Sequence, residues 1–248
     1  MPNPHVTDVQ SPVPVRRQRY RLRPPSRMLR PLEARALLEF GSLFPSAPKL
    51  AAEPRGDGRK VVLLPGFLAD DRSTWPLSQY LSFLGYDAGG WGLGLNRGNP
   101  ETDAERFIEG MVDSLPTGEK LTLIGWSLGG VIARVTAMRR PEAVREIITM
   151  GTPVEGGPKY TTAGAYYARQ QGLDLDAFEE HVHSQNQNSL DVPITVIYSR
   201  TDGVVGWRAA IDRYNAQAKH VEVPGSHVGL GFSPKVWRIV SRTLHESR

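Results

Sequence analysis

The segment Leu121-Thr122-Leu123-Ile124-Gly125-Trp126-Ser127-Leu128-Gly129-Gly130-Val131-Ile132-Ala133-Arg134-Val135 holds most of what this chain reveals. Its first four residues form a short apolar run of strand type. From Val131 to Met138 the pattern has helical periodicity. Strand, Gly-x-Ser-x-Gly and helix in that order put Ser127 on a sharp turn with its hydroxyl held out of the sheet. Glycine suits positions 125 and 129 because side chains there would collide with the neighbouring strand and helix. The helix starts at the serine, so its positive end faces any negative charge that develops there. A chain with 25 glycines can spell this pattern by accident, so the elements around it must carry the weight.

Those elements alternate. Lys60–Leu64 is an apolar strand run, Leu77–Leu84 is helical and Tyr86–Ala88 begins a short strand. Asn99-Pro100-Glu101 opens a helix with a cap residue, a first-turn proline and an acid. Phe107, Met111 and Leu115 then repeat along it. Strands follow at Lys120–Trp126, Glu146–Met150, Val192–Tyr198 and His220–Val223, and Ser233-Pro234 opens a last helix. Such alternation predicts an α/β fold with a mostly parallel sheet and helices on both faces. Residues 60–153 and 192–248 are its expected core. Residues 31–59 read as a helix from Pro31 to Phe40 and a turn-rich linker from Pro45. Residues 154–191 break the alternation and carry Tyr160, Tyr166, Tyr167 and Phe178. A long insertion of this kind is usually functional, and it reads as a small helical cap over the site. Within it Asp174 is placed to cap a helix carrying Leu175, Phe178 and Val182 on one face.

The net charge of +4 divides unevenly. Residues 1–30 hold seven arginines and one acid, Asp8, while the other 218 residues hold 23 basic and 25 acidic groups. The basicity thus belongs to a Pro/Arg-rich segment with too few apolar residues for a core of its own. It reads as a flexible tail, with contact to an acidic partner or a membrane surface as the alternative. The body carries no basic excess that would mark it for nucleic acid. No apolar run reaches about 18 residues and no secretory signal is visible, so a cytoplasmic location is expected. Cysteine is absent, which excludes disulfides, thiolate metal sites and a cysteine nucleophile.

A serine hydroxyl needs a base to take its proton and a third group to orient that base. Asp202, in the loop after the Val192–Tyr198 strand, fits the acid, with Glu155 as substitute. His227, in Gly225-Ser226-His227-Val228-Gly229 between the last strand and last helix, fits the base; His220 competes from the wrong end of its strand. Two N–H donors are needed for an oxyanion. Leu128, next after the serine, and Phe67, in Pro65-Gly66-Phe67-Leu68, are the expected pair.

With these residues in view, positions 60–246 resemble an α/β-hydrolase of the bacterial lipase/esterase type. Leu64-Pro65-Gly66-Phe67 resembles the oxyanion loop, Gly125–Gly130 the elbow, and Ile148–Pro153 the strand end before the cap. The elbow also resembles that of the pimeloyl-carrier-protein methyl ester esterases. Pro65 and Trp126 stand where the lipase family commonly has histidine, and the sheet is shortened at its start. The resemblance implies a serine carboxylic ester hydrolase that forms an acyl-enzyme on a small-molecule ester, with no metal or organic cofactor. The cap aromatics Tyr160, Tyr166 and Phe178, with Trp126, imply an apolar acyl or alcohol group. A thioesterase, acyltransferase or carrier-protein methyl ester esterase would use the same triad; a non-catalytic binding protein on the same fold is the third reading. Gly89–Gly94 lacks the Gly-x-Gly-x-x-Gly spelling and reads as a loop. His181 and His183, two apart on a helix, read as surface residues, and Asp70 and Asp71 as solvated charges.

Overall fold

A computed structural model of the chain describes residues 22–247. The strands are β1 (Lys60–Leu64), β2 (Asp87–Gly90), β3 (Leu121–Trp126), β4 (Val144–Met150), β5 (Ile194–Tyr198) and β6 (Lys219–Glu222). They form one sheet in the order β2-β1-β3-β4-β5-β6, and all five pairings are parallel. The helices are α1 (Ala36–Gly41), α2 (Leu43–Ala51), α3 (Asp71–Leu84), α4 (Pro100–Phe107), α5 (Leu128–Arg139), α6 (Gly164–Gln171), α7 (Leu175–Gln185) and α8 (Pro234–Glu246).

The strands are apolar almost throughout because both faces of the sheet are covered. Alternate side chains go to opposite faces. Val61, Leu63, Ile124 and Ile148 pack with Leu77 and Leu81 of α3 and Val236 and Val240 of α8. Val62, Leu64, Leu123 and Ile147 pack with Phe107 of α4 and Ile132 of α5. Each large apolar side chain enclosed in this way contributes about 1.5–3 kcal/mol.

Strand order positions the site. The chain moves outward from β1 to β2, then crosses back over β1 to reach β3. Connections therefore leave the carboxyl ends of β1 and β3 in opposite directions, and a crevice opens between them. The loop after β1 and Ser127 after β3 both end there. Their approach is close enough that a Cβ on Gly129 would lie 2.1 Å from the Leu64 carbonyl oxygen.

Several segments differ from the sequence expectation. The helix foreseen at Pro31–Phe40 begins earlier, as a 3-10 segment Arg27–Arg35, and continues through α1. The stretch foreseen as a linker from Pro45 holds most of α2. Pro45 lies in its first turn, where an N–H has no intrahelical partner. Leu50 of α2 is buried in the core, and its carbonyl accepts from the Tyr80 hydroxyl at 3.2 Å, so tertiary packing overrides the turn-rich composition. Helix α3 starts at Asp71 rather than Leu77, because the Asp70 carboxylate caps it by accepting from Arg72 N–H at 3.0 Å. Asp71 is not merely a solvated charge either. Its carboxylate accepts from Trp91 and Gly92 N–H at 2.9 and 3.1 Å and ties down the glycine-rich stretch after β2. Residues 154–191 contain α6 and α7, with Asp174 capping α7 through the N–H groups of Asp176 and Ala177. Of the segment expected to be a flexible tail, residues 1–21 lie outside the described residues. Among the described residues no helix is long and apolar enough to cross a membrane.

Candidate active site

Ser127 joins β3 to α5 with φ 54° and ψ −121°. An L-residue held in so sparsely populated a region costs on the order of 1–3 kcal/mol. The surroundings enforce it. Ser127 N–H donates to Met150 O at 2.8 Å, and Ser127 O accepts from Gly130 N–H at 3.0 Å. A Cβ on Gly125 would sit 2.2 Å from Gly130 Cα, so the tight turn admits no side chain there. Leu128 is the first residue of α5, where an amide N–H has no partner inside the helix.

The loop after β1 faces this turn, and a Cβ on Gly66 would be 3.3 Å from Ser127 Cβ. Buried Asn96 shapes the loop. Its side-chain amide donates to Pro65 O at 2.9 Å and its backbone carbonyl accepts from Leu68 N–H at 2.8 Å. Leu68 is thereby held at φ 58°. These bonds, with Ala69 N–H to Gly66 O, use the N–H groups of Leu68 and Ala69 but not that of Phe67. The sequence carried no signal for Asn96, because its loop lies 31 residues from Pro65.

Asp202 and His227 are both buried. Asp202 Oδ1 accepts from Val204 and Val205 N–H at 2.8 and 2.7 Å, and Oδ2 lies 2.7 Å from His227 Nδ1. Ser199 and Thr201 hydroxyls donate to Gly225 O at 2.7 and 3.0 Å, which ties the aspartate loop to the histidine loop. The His227 carbonyl accepts from Trp126 Nε1 at 3.2 Å. Burial opposes charge on His227 most strongly. The Asp202 charge and hydrogen bond, with the charge of Glu33, outweigh it, so the imidazole pKa is raised.

Ser127, His227, Phe67 and Leu128 line one cavity of about 590 Å³. Its walls include Val131, Val135 and Met138 of α5, and Tyr167 and Phe178 of α6 and α7. The Tyr167 ring lies 5.4 Å from that of Phe67, and its hydroxyl donates to Gly98 O at 2.6 Å. Burial, with a smaller push from the Asp103 charge, raises that phenol to about 12, so it stays a neutral donor. Of the four aromatics expected around a substrate, Trp126 and Phe178 lie on the cavity wall, while Tyr160 and Tyr166 do not. The Tyr160 hydroxyl donates to Glu179 at 2.7 Å, and Tyr166 is exposed with its hydroxyl accepting from Gln170. Tyr167, one residue on, turns inward because a helix places neighbours about 100° apart.

Other expectations resolve by contact. Glu155 pairs with Arg213 at 2.6 Å, and His220 Nε2 accepts from Asp212 N–H at 3.1 Å. His183 bonds the Tyr214 hydroxyl, whereas His181 lies on the cavity wall rather than only on the surface. Buried Arg134 also lines the cavity, with its guanidinium held by Asp212 at 2.5 Å and by Asn186. Among the described residues no cluster of three or more His, Asp or Glu side chains is placed to hold a metal ion.

The family model for the alpha/beta hydrolase fold matches residues 60–170. A pimeloyl-[acyl-carrier protein] methyl ester esterase of Legionella pneumophila (strain Paris) is 31% identical over 102 residues, which is 40% of each chain. The corresponding esterase of Nitrosospira multiformis is 30% identical over 143 residues, 54% of this chain and 52% of its own. The matched region thus spans about half or less of the length of these curated relatives. Among solved structures, a mature Bacillus licheniformis lipase superposes with a TM-score of 0.57 at 15% identity, covering 78% of this chain and 94% of its own.

Proposed function

We propose that the chain, whose residues 60–170 match the model for the alpha/beta hydrolase fold, is a serine carboxylic ester hydrolase of that superfamily. The observation that carries this reading is the convergence on one cavity of a serine at a strained strand–helix turn and a buried histidine bonded to a buried aspartate. Ser127 Oγ attacks the ester carbonyl while His227 Nε2 takes its proton. Asp202 holds Nδ1–H, so Nε2 is the free base, and it steadies the imidazolium that forms. The N–H groups of Leu128 and Phe67 receive the oxyanion. His227 then protonates the leaving alcohol, and the acyl group remains on Ser127. Water, deprotonated by His227, attacks the acyl-enzyme and releases the acid.

The apolar walls favour an ester with an apolar acyl or alcohol group. Arg134 offers no free cation to a substrate carboxylate, because Asp212 and Asn186 occupy it. The test is hydrolysis of p-nitrophenyl esters from acetate to palmitate. Activity is expected with an optimum at the chain length that fills the cavity. A folded wild type that cleaves none of them would sink the simple-ester reading.

The raised pKa of His227 gives a second expected result. The base must be neutral, so kcat/KM is expected to fall on the acid side with a midpoint above the ordinary imidazole value of about 6.5. Stability runs the other way. A pKa raised in the folded state stabilises it fully below the unfolded value, and that contribution is lost as pH rises through the raised value. Just above pH of about 6.5, activity therefore rises while this contribution to stability declines. A pH–rate profile with urea unfolding at matched pH checks both signs.

A second reading is favoured by the similarity to the two carrier-protein esterases. It keeps the triad but takes a carrier-bound methyl ester. The seven arginines of residues 1–30 would then contact the acidic carrier. Salt-sensitive activity on the carrier-bound ester, well above that on the free methyl ester, would favour it.

A further inference from the structure

The segment that precedes the sheet reaches into the catalytic loops. Glu33, in the 3-10 segment Arg27–Arg35, accepts three backbone N–H bonds from two loops. Its Oε1 takes Gly203 N–H at 2.7 Å and His227 N–H at 2.9 Å, and its Oε2 takes Val228 N–H at 3.0 Å. Gly203 directly follows Asp202, and Val228 begins the 3-10 turn Val228–Gly231 after His227. One carboxylate therefore bridges the acid loop to the base loop. Glu39 of α1 adds a second anchor. It accepts from Ser226 N–H at 3.0 Å and from the Ser226 hydroxyl at 2.5 Å, and that hydroxyl accepts from Gly229 N–H at 2.9 Å. Arg35, 3.6 Å from Glu39, donates to the Thr201 hydroxyl at 2.5 Å.

These contacts leave little freedom at His227. Its N–H is held by Glu33, its carbonyl by Trp126 and its Nδ1 by Asp202. Two of the three glycines next to these carboxylates are also spatially required. A Cβ on Gly229 would overlap Glu39, and one on Gly203 would come within 2.9 Å of Glu33 Oε1.

We propose that Glu33 is a positioning residue of the Ser127–Asp202–His227 site, with Glu39 as its auxiliary, so that the segment ahead of the hydrolase core completes the active site. The proposal rests on the serine-hydrolase reading. It assigns Glu33 two tasks: setting the separation of the two loops, and adding a second negative charge beside the imidazole. The charged groups facing the histidine loop are Asp202 from the β5 loop, Glu33 from the 3-10 segment, and the Glu39–Arg35 pair from α1 and its start. Of these, Asp202 and Glu33 both favour the imidazolium.

The deciding experiment compares full-length wild type with Glu33→Gln and Glu33→Ala. Readouts are kcat and KM on a short-chain p-nitrophenyl ester across pH, thermal midpoint, and the His227 ring titration by NMR. Glu33→Gln keeps the shape but removes the charge and turns one acceptor into a donor facing Val228 N–H. It is expected to lower kcat about tenfold with KM within about twofold, since small misplacements of reacting groups are costly. The acid limb and the His227 titration are both expected to move to lower pH. Glu33→Ala is expected to lose more, on the order of a hundredfold. If Glu33→Gln lowers only the thermal midpoint and leaves kcat and the His227 titration where they were, Glu33 is a structural residue and the proposal is overturned. If the wild type cleaves no ester, the serine-hydrolase reading fails. The NMR titration then decides the coupling alone: a downward shift sustains the positioning role and an unmoved titration ends it.

Discussion

Ser127→Ala is expected to leave a folded protein whose kcat on p-nitrophenyl esters is lower by about ten-thousandfold or more. The substitution removes one oxygen and nothing that holds the turn. The φ of 54° at position 127 is set by the backbone bonds to Met150 and Gly130. Alanine inherits that strain without adding to it, so the urea midpoint is expected to stay close to that of the parent. What is lost is the oxygen that carries the acyl group in the proposed mechanism. His227→Ala is expected to cost nearly as much, and the double variant hardly more, because nucleophile and base act as one unit. Residual rate in all three would come from the oxyanion donors and from binding. Single-turnover assays with a fluorophosphonate probe supply the covalent check. Labelling that survives in Ser127→Ala would place the nucleophile elsewhere and end the triad assignment.

Arg134→Met is expected to destabilise the protein by about 3–5 kcal/mol, the cost of breaking a buried ion pair by removing one partner. Arg134 and Asp212 side chains are 3% and 0% exposed and lie 2.5 Å apart. With the guanidinium gone, Asp212 keeps the N–H donors of Tyr214 and Asn215 and the Asn215 side-chain amide, but loses its counter-charge. Asn186 loses both guanidinium donors. The damage spreads beyond the pair, because Asn215 in turn holds Leu190 and Ser189 in the connection that leads to β5 and so to Asp202. A fall in thermal midpoint on the order of 10 °C is the corresponding readout for a chain of this size. Arg134 also lines the cavity, so KM should change as well. Urea unfolding that shows a loss below about 1 kcal/mol would mean that water reaches the pair and that it is not buried in solution.

The two cases differ in how far the sequence announced them. Ser127 stands in a pattern whose physics is local: an apolar strand, a turn too tight for a Cβ, and a helix starting at the serine. Every part lies within about fifteen residues, so it can be read from the chain directly. The places of Asp202 and His227 in the fold were legible for a related reason. Each sits just past a strand in a parallel sheet, and all strands of such a sheet end on the same rim. Arg134 was not legible. In the sequence it is one charged residue among the apolar positions of a helix. Only folding brings it to Asp212, 78 residues away, and Asn186, 52 residues away.

The same division runs through the rest of the molecule. Alternating apolar runs and helical periods determined the parallel α/β sheet, because burial on both faces demands continuous apolar strands. Local chemistry determined the helix start at Asp174, where a side-chain carboxylate reaches N–H groups two and three residues on. Tertiary structure alone decided which of two adjacent tyrosines, Tyr166 or Tyr167, faces the cavity, since both belong to a helix whose burial depends on what lies beneath it. It decided that a proline-containing stretch would form α2, because Leu50 found a place in the core. It also decided that Glu33, 194 residues before His227, would hold that histidine's backbone. Periodicity and capping act over a few bonds and leave a trace in the order of residues. A hydrogen bond across such a separation leaves none, because the backbone N–H it satisfies is the same at every residue type but proline.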